Sequence, residues 1–345
     1  MSKRCGFNVR FTFSFIFLSI MFVQIHAQQL LLPVQVYEKY GFGQVNDKYG
    51  FIDTAGSMMI NPKFEEARNF SEGMAAVKMN GKWGYIDSSG KIIIEPTYNS
   101  TPGNFMDGIA VVMVRDGVWG CIDKGGKKAI DPKYSELSFS EGVSPAQVVT
   151  KVGQKWGYID KAGKEVLAPQ FNGAKSFSEG FAAVKKDSLW GYIDKTGKMV
   201  IQPRFLNAGN FSEGMAIVQT GRENNMKWGY IDAKGLLVIQ PQFGWGCKDF
   251  SEGLALVKID DNSSFIDKTG KIIIRQQFED ACSFSEGRAA VKINSKWGYI
   301  DQRGNFVIKP KYTEAANFNK GLARVRMDQQ MTYINSSGKL IFGQK

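Results

Sequence analysis

The sequence of 345 residues carries 44 lysines and arginines against 33 acidic residues, a net charge of +11, and it contains a single histidine. That histidine, His26, lies in a segment predicted below to be removed, which excludes histidine-dependent catalysis and histidine-ligated zinc from the mature chain. The positive charge is spread along the whole chain without a basic block, so nucleic acid is not an expected partner.

The first 27 residues have the layout of a secretory signal. The basic start with Lys3 and Arg4 is followed by an apolar run from Phe11 to Val23, and the small Ala27 stands at the predicted cut. This run of about 13 residues is shorter than the roughly 20 that span a bilayer as a helix. The sequence therefore predicts an exported protein of the periplasm, the outer cell surface or the medium, with a mature chain of residues 28–345 and no transmembrane segment.

The mature chain repeats one motif nine times. The eight full copies follow a common pattern of a WGYID-like segment, then Asp-x-x-Gly, then a β-branched run usually closed by proline and an aromatic residue, and finally an FSEG-like turn with a short apolar stretch. The tryptophan position recurs every 34 to 38 residues, at Tyr49, Trp83, Trp119, Trp156, Trp190, Trp228, Ser263, Trp297 and Met331. Because this spacing leaves no room for a linker, we predict one domain over residues 28–345.

The combined WGYID, DxxGK, IIxPxF and FSEGxAxV pattern resembles the WG-repeat (KWG-repeat) family of bacterial proteins over essentially the whole mature chain. The resemblance implies an exported or envelope-associated β-repeat protein with a role in interactions rather than catalysis. It supplies no catalytic residues, because the family is not defined by an active site. The copies at Tyr49, Ser263 and Met331 depart from the pattern.

Within a unit the pattern predicts a three-stranded antiparallel β-meander. Residues 75–78 alternate as a strand and lead through Asn80-Gly81, a strong hairpin sequence, into residues 83–87. Asp87 to Gly90 fits a tight turn, with the aspartate capping it and the glycine at positive φ. Residues 92–94 form the next strand, which Pro96 ends. The glycine of WGYID is expected to permit close approach of a backbone or ring.

A unit of three strands cannot bury its apolar face alone, so neighbouring units must stack. Two all-β arrangements satisfy this requirement: an open or partly closed superhelical array of eight to nine meanders, or a closed propeller-like ring. The two ends of the chain look like complementary parts of one unit, which favours a ring. Propeller blades, however, usually have four strands and about 40 residues or more, so we expect the open array.

Paired carboxylates would suit glycoside hydrolysis, but the repeated aspartates are each followed three residues later by glycine. In the last copy the aspartate is replaced by Asn335, which keeps turn capping and loses acid-base chemistry. The same reasoning applies to the FSEG glutamates, and the turns lack the dense ligand series of a calcium loop. We therefore predict no catalytic residue, metal or cofactor, and a structural role for Asp87, Asp160, Asp194, Asp232 and Asp301.

The tryptophans at the repeated position are predicted to pack between units rather than to form a ligand strip. These residues are Trp83, Trp119, Trp156, Trp190, Trp228 and Trp297. Trp245 stands outside the repeated position, in an insertion with Cys247, and is the candidate ligand contact. Cys247 and Cys282 lie in neighbouring repeats, so they either pair in an oxidising compartment or, as we prefer, pack as small apolar residues.

These features predict an exported, non-enzymatic β-repeat scaffold that binds a protein, peptide or glycan partner through its repeat surface and variable loops. The alternative is a carboxylate-dependent hydrolase or lyase with a site among the non-repeated loops. The absence of histidine and the repetition of every acidic motif favour the scaffold.

Overall fold

The computed structural model describes residues 30–39, 45–151, 153–221, 225–328 and 330–342. The predicted signal segment, residues 1–27, lies outside these ranges. The described residues form β-strands and turns without an α-helix, as predicted for an all-β chain. Accordingly, none of them belongs to an apolar helix of membrane-spanning length.

The strands form nine small antiparallel sheets, here called blades, and within each blade the strands are neighbours in chain order. Blades 1 to 3 comprise β1 (Leu32–Lys39), β2 (Val45–Ile52) and β3 (Met58–Phe64); β4 (Glu66–Ala67), β5 (Met74–Met79), β6 (Lys82–Asp87) and β7 (Ile92–Tyr98); β8 (Ile109–Arg115), β9 (Val118–Asp123) and β10 (Lys128–Tyr134). Blades 4 to 6 comprise β11 (Val143–Thr150), β12 (Gly153–Asp160) and β13 (Glu165–Phe171); β14 (Gly173–Ala174), β15 (Phe181–Lys186), β16 (Leu189–Asp194) and β17 (Met199–Phe205); β18 (Asn207–Ser212), β19 (Met215–Thr220), β20 (Lys227–Asp232) and β21 (Leu237–Phe243). Blades 7 to 9 comprise β22 (Ala255–Ile259), β23 (Asn262–Ile266) and β24 (Ile272–Phe278); β25 (Asp280–Ala281), β26 (Ala289–Ile293), β27 (Lys296–Ile300) and β28 (Phe306–Tyr312); β29 (Glu314–Ala315), β30 (Leu322–Met327), β31 (Gln330–Asn335) and β32 (Leu340–Phe342).

The predicted three-stranded meander is present in every blade. In blade 2 the first long strand pairs with the WGYID strand from Met74 opposite Asp87 to Met79 opposite Lys82. The Asp87 carboxylate then caps the following turn, since its Oδ1 accepts hydrogen bonds from the amides of Ser89 at 2.9 Å and Lys91 at 3.1 Å. The same capping pattern recurs in later blades and persists with Asn335 in the last one.

A short leading segment, which the sequence did not predict as a strand, adds to the edge of the first long strand. It ends at the phenylalanine of FSEG, and in blade 2 the amide of Arg68 donates to the carbonyl of Ala76 at 2.9 Å. In five blades it is long enough to count as a fourth strand: β4, β14, β18, β25 and β29. The leading segment makes the blades more like those of propellers than the three-strand prediction allowed.

Neighbouring blades bury their apolar faces against each other. Between blades 2 and 3, for example, Tyr85 and Ile94 pack with Phe105 and Val112 in one buried cluster. The tyrosines of the WGYID motif are among the largest fully buried side chains, including Tyr85, Tyr158, Tyr192, Tyr230 and Tyr299. Burial of roughly 150–250 Å² by each such ring makes these interfaces a principal source of stability.

The array closes into a ring, which was the alternative rather than the preferred arrangement of the sequence analysis. Leu32 and Val34 of blade 1 share a buried cluster with Leu322 and Tyr333 of blade 9. The Tyr333 hydroxyl also donates to the carbonyl of Pro33 at 3.1 Å. The expectation of an open array was wrong because it rested on a three-strand blade, whereas the leading segments enlarge the blades. The contact between blades 1 and 9 is called the seam below.

The glycine of WGYID faces a β-bulge that contains the repeated proline. A Cβ on Gly84 would lie 2.4 Å from the Ile94 carbonyl oxygen and 2.7 Å from the Pro96 nitrogen. Blade 7 replaces both partners, because Ser264 stands at the glycine position and Gln276 at the proline position. Glycine and proline therefore form a structural pair in which the bare glycine backbone accommodates the bulge.

Candidate binding groove at the seam

Tyrosine hydroxyls make the first of three regular links between consecutive blades. Each donates to a backbone carbonyl in the leading segment of the next blade, two residues before its phenylalanine. The pairs are Tyr85 with Gly103, Tyr158 with Lys175, Tyr192 with Gly209, Tyr230 with Lys248 and Tyr299 with Ala316, at 2.6 to 2.9 Å. These bonds satisfy the buried phenols, and burial itself raises the pKa of Tyr85.

The serine of FSEG makes the second link. Its hydroxyl donates to the carbonyl of the phenylalanine in the next FSEG-like turn. The pairs are Ser71 with Phe105, Ser140 with Phe177, Ser178 with Phe211, Ser212 with Phe250, Ser251 with Phe284 and Ser285 with Phe318, at 2.7 to 2.8 Å. The repeated serine is therefore part of the joint between blades.

The glutamate of FSEG makes the third link, which differs from the turn capping predicted from the sequence. Its carboxylate accepts hydrogen bonds from amides in the equivalent turn of the next blade, as from Glu213 and Gly214 to Glu179 at 2.6 and 2.8 Å. The same link joins Glu72 to Asp107 and Gly108, Glu141 to Gly180, Glu213 to Gly253, Glu252 to Gly287, and Glu286 to Lys320 and Gly321. The glutamates hold positive φ, 54° at Glu213, but Asp107 and Lys320 hold the same conformation at 52° and 53°, so the positive φ belongs to the two-residue turn.

Acidification is expected to weaken these links. Desolvation acts to raise the pKa of Glu72 and Glu141, but hydrogen bonds from the next blade and from Lys124 or Lys195 outweigh it, so both pKa values are lowered. Their stabilisation is complete above the unfolded value of 4.5 and is lost as the pH falls through the folded values. Thermal melts from pH 7 to pH 3 should show a smaller acid-induced fall in Tm for Glu72→Gln/Glu141→Gln than for the wild type. A parallel fall in both proteins would contradict the assignment.

All three links change at the seam. The FSEG motif of blade 9 reads Asn319-Lys320 in place of serine and glutamate. The Tyr333 hydroxyl donates to the carbonyl of Pro33 in β1, whereas the other tyrosines donate to a leading segment. Among the described residues the repeated chemistry is replaced at the seam and also at the joint between blades 3 and 4, where Cys121, Met106 and Asp107 stand at the tyrosine, serine and glutamate positions.

A groove of about 350 Å³ opens at this seam. Its floor is apolar and includes Leu30, Leu32, Phe70, Leu322 and Tyr333. Polar and charged side chains from blades 2 and 9 form its sides, and they comprise Arg68, Asn69, Asn317, Asn319, Lys320 and Arg324. A smaller adjoining pocket is lined by Tyr49 and Met331, which occupy the altered tryptophan positions of the two end units.

The groove is cationic. Arg68, Lys320 and Arg324 are exposed, and none of the described residues that line the groove is acidic. Arg324 is a break in the repeat: the equivalent positions hold Ala76, Ala183, Leu256 and Ala290, all buried between blades. Burying a charged guanidinium between blades is costly, whereas an exposed arginine can bind an anion. This position, which holds small or apolar residues elsewhere, is therefore better suited in blade 9 to binding an anionic ligand than to packing.

A second irregular cluster lies where blades 5, 6 and 7 meet. Burial raises the pKa of the Asp249 carboxyl, against the opposing effect of Lys175 and Lys248, and burial lowers the pKa of Lys175. Asp249 Oδ1 lies 3.1 Å from the position that a Cβ on Gly209 would take, so the glycine makes space for it. Asn210 beside them has a buried side-chain oxygen without a hydrogen-bond partner.

Neutralising Asp249 should stabilise the fold at neutral pH. Because the folded pKa is raised, the contribution of this carboxyl is fully present below its unfolded pKa and is lost as the pH rises through the folded value. Asp249→Asn should therefore have a higher Tm than the wild type at pH 7 and a similar one at pH 3. Asp194→Asn is the matched control and should lower the Tm at pH 7. The hydrogen bond from the Thr196 hydroxyl lowers the pKa of Asp194, so the charged carboxylate stabilises the fold at this pH. A lower Tm for Asp249→Asn at pH 7 would show that attraction to Lys175 dominates.

The structure distributes the sequence-predicted residues around the ring rather than gathering them in one site. Trp83 and Trp228 are buried, and the other four repeated tryptophans are half-buried. The candidate contact Trp245 is 78% exposed, with its ring centroid 6.0 Å from that of Trp228. Cys247 and Cys282 are free thiols. Within the described residues no group of three histidine, cysteine or acidic side chains is arranged to hold a metal ion.

Sequence reasoning missed the groove, although the repeat alignment contained its signs. Lys320 replaces a repeated glutamate, and Arg324 replaces a repeated small residue. Both substitutions lie in the last copy, and a lysine in place of the glutamate by itself indicates only that no acid-base chemistry is needed there. Only closure of the ring brings them next to Arg68 of blade 2.

The fold and the links between blades define a closed ring of β-meander repeats. A family model described as the WG containing repeat matches residues 49–83, 83–117, 119–148, 156–190, 190–222, 228–262, 264–297 and 297–330. These matches span most of the chain, which belongs to the WG-repeat family.

Comparison with solved structures finds distant likenesses. Hsv2p of Kluyveromyces lactis is 12% identical, with a TM-score of 0.42 over 68% of this chain and 92% of that chain. The WD40 β-propeller domain of Doa1 is 12% identical, with a TM-score of 0.35 over 79% of this chain and 92% of that chain. A search of curated protein sequences finds no match.

Proposed function

We propose that this chain is an exported, non-enzymatic scaffold that binds a protein, peptide or glycan partner in the cell envelope or outside the cell. The observation that supports this most directly is the cationic groove at the seam, where repeat-breaking residues replace the links between blades. The repeated aspartates and glutamates are occupied in turns and in joints between blades, so they are not available as a reactive pair. In repeat proteins the regular positions usually hold the fold together, and ligands bind at positions that differ between repeats.

Affinity capture from an envelope extract tests this proposal. The purified chain is immobilised at high density, and retained proteins and glycans are quantified against a column carrying an unrelated basic β-repeat protein. We expect at least one component to be enriched and to be displaced by the soluble chain. Equal retention on both columns would count against the scaffold function.

A hydrolase or lyase is the second candidate, favoured by one observation, the half-buried Asp249 near Lys175. A carboxyl with a raised pKa is suited to proton transfer near neutral pH. Turnover of polysaccharide or peptide substrates that is abolished by Asp249→Asn, with the melting transition intact, would favour this alternative over the scaffold. We expect no such turnover.

A further inference from the structure

The cations of the seam groove have no anionic partner within the described part of the chain. Arg68, Lys320 and Arg324 line the groove and are exposed, and none of them forms an ion pair with a described residue. Turn lysines at regular joints are paired with the FSEG glutamate of the preceding blade: Lys124 with Glu72, Lys195 with Glu141 and Lys268 with Glu213, at 3.0 to 3.2 Å. The seam therefore presents positive charge that the protein itself does not neutralise.

The backbone positions of the two cations from blade 9 are fixed by regular contacts. The turn that carries Lys320 is held by blade 8, because the Glu286 carboxylate accepts hydrogen bonds from the amides of Lys320 and Gly321. Arg324 lies opposite Tyr333 in the pairing of β30 with β31, the register that Ala76 has with Tyr85 in blade 2. Both cations thus replace other residue types on an otherwise regular backbone.

The cation from blade 2 is held by an aromatic ring. The guanidinium carbon of Arg68 lies 5.7 Å from the centroid of the Trp83 ring, a cation–π contact that leaves the side chain exposed. In blade 5, Lys175 lies over Trp190 in the same way, with its ammonium nitrogen 5.5 Å from the ring centroid. A cation held in place before binding loses less conformational entropy when a ligand arrives.

Neutral groups of the groove add a second requirement on the ligand. The side chains of Asn69, Asn317 and Asn319 line it, and none of them hydrogen-bonds to a described residue through its amide group. Each such amide offers both a donor and an acceptor. Half-buried Phe70 and exposed Ala316 supply apolar surface beside them. A volume of about 350 Å³ lies within the range of small-ligand sites.

These groups together favour a ligand that carries both carboxylates and hydroxyls. Arginine binds a carboxylate through two parallel hydrogen bonds, and lysine binds it as a point charge. Sugar hydroxyls both donate and accept, which matches the side-chain amides, and the C–H face of a sugar ring can cover apolar surface. An inorganic anion would leave the amides unused, and a neutral sugar would leave the cations unused. Acidic sugars satisfy all of these groups.

We propose that the seam groove binds an acidic oligosaccharide, with carboxylates of its uronic acid residues on Arg68, Lys320 and Arg324 and its hydroxyls on the asparagine side chains. This inference rests on the proposed binding function and on the predicted export. It identifies the partner class as an anionic glycan rather than a protein or peptide.

Isothermal titration calorimetry of the purified chain with trigalacturonate tests the proposal. The titration is made at about 0.15 M ionic strength, at which long-range attraction to a basic protein is screened. We expect saturable binding that weakens by about tenfold or more when the carboxylates of the probe are methyl-esterified, because esterification removes the charge and keeps the hydroxyls on the ring. Binding that is unaffected by esterification would contradict the assignment of the cations.

A variant that restores the regular repeat tests the location of the site. Lys320→Glu/Arg324→Ala introduces the residues that other blades hold at these positions, as Glu72 and Ala76 do in blade 2, so the ring should fold normally. Trigalacturonate binding should weaken by about tenfold or more in this variant. Lys234→Glu removes an exposed lysine from a turn of blade 6 and should change binding by less than about twofold.

The contrary outcomes separate this inference from the proposed function. No binding of trigalacturonate by a wild type with a normal melting transition, or unchanged binding by Lys320→Glu/Arg324→Ala, would overturn the inference. Tighter binding of hexaglutamate than of trigalacturonate, lost in the same variant, would assign the groove to acidic peptides instead. Capture of an envelope partner that survives Lys320→Glu/Arg324→Ala would leave the scaffold function standing and remove the groove from it.

Discussion

Gly157→Ala is expected to destabilise the ring by about 3 kcal/mol or more, since overpacking against a fixed backbone is among the costly single changes. A Cβ at this position would lie 2.4 Å from the Leu167 carbonyl oxygen and 2.8 Å from the Pro169 nitrogen. Neither atom is the end of a flexible side chain, so the bulge or the pairing of β12 with β13 must shift. Chemical denaturation followed by tryptophan fluorescence would measure the loss.

Blade 7 supplies the matched control, because Ser264 already carries a Cβ at the same register position. Ser264→Ala should cost no more than about 1 kcal/mol, the range of a lost hydrogen-bonding group. The double variant Gly157→Ser/Pro169→Gln copies the pair found in blade 7 and should be more stable than Gly157→Ser alone. Strictly additive effects would show that glycine and proline are not coupled through the bulge.

Trp156→Ala is expected to lower the free energy of unfolding by about 2–4 kcal/mol. This value is in the lower part of the range for truncating a large buried ring, because this tryptophan is half-buried. Trp156 packs at the edge of the cluster that holds Tyr158 and Phe171. If the repeated tryptophans belong to the core, the loss should appear as a lower melting temperature with a still cooperative transition.

Trp245→Ala is the control for this prediction, since its side chain is 78% exposed and its ring centroid lies 6.0 Å from that of Trp228. It should change stability by no more than about 0.5 kcal/mol, as exposed substitutions usually do. If Trp245 contacts the partner, this variant should weaken capture of the partner without a change in Tm. The reverse pattern, an intact melt and lost binding for Trp156→Ala, would favour a ligand strip over a core role.

Local structure was predictable because the repeat encodes it in short stretches of chain. The Asp-x-x-Gly turns, the paired strands on either side and the end of each strand near proline all follow from residues no more than 15 positions apart. The leading segments were not predicted, because two-residue strands such as Glu66–Ala67 have no periodicity to detect. Their backbone pairing depends on a strand that comes later in the chain.

The roles of the FSEG serine and glutamate could not be predicted from the sequence in the same way. Their repetition indicated structure rather than chemistry, but the partner groups lie one full repeat away, as Glu179 and Gly214 do. A pattern that recurs in every unit gives the same sequence evidence for a contact within a unit as for a contact between units. The distinction required the relative placement of two blades.

The sequence by itself determined the all-β class, the repeat length, the turn chemistry and membership of the WG-repeat family, because each depends on local residue pattern. The tertiary structure alone decided that the array closes, because closure depends on small rotations between blades that accumulate around the ring and on the contact of Pro33 with Tyr333. Closure in turn brings Arg68 beside Lys320 and Arg324, residues about 250 positions apart in the chain, so the candidate groove exists only in the folded ring.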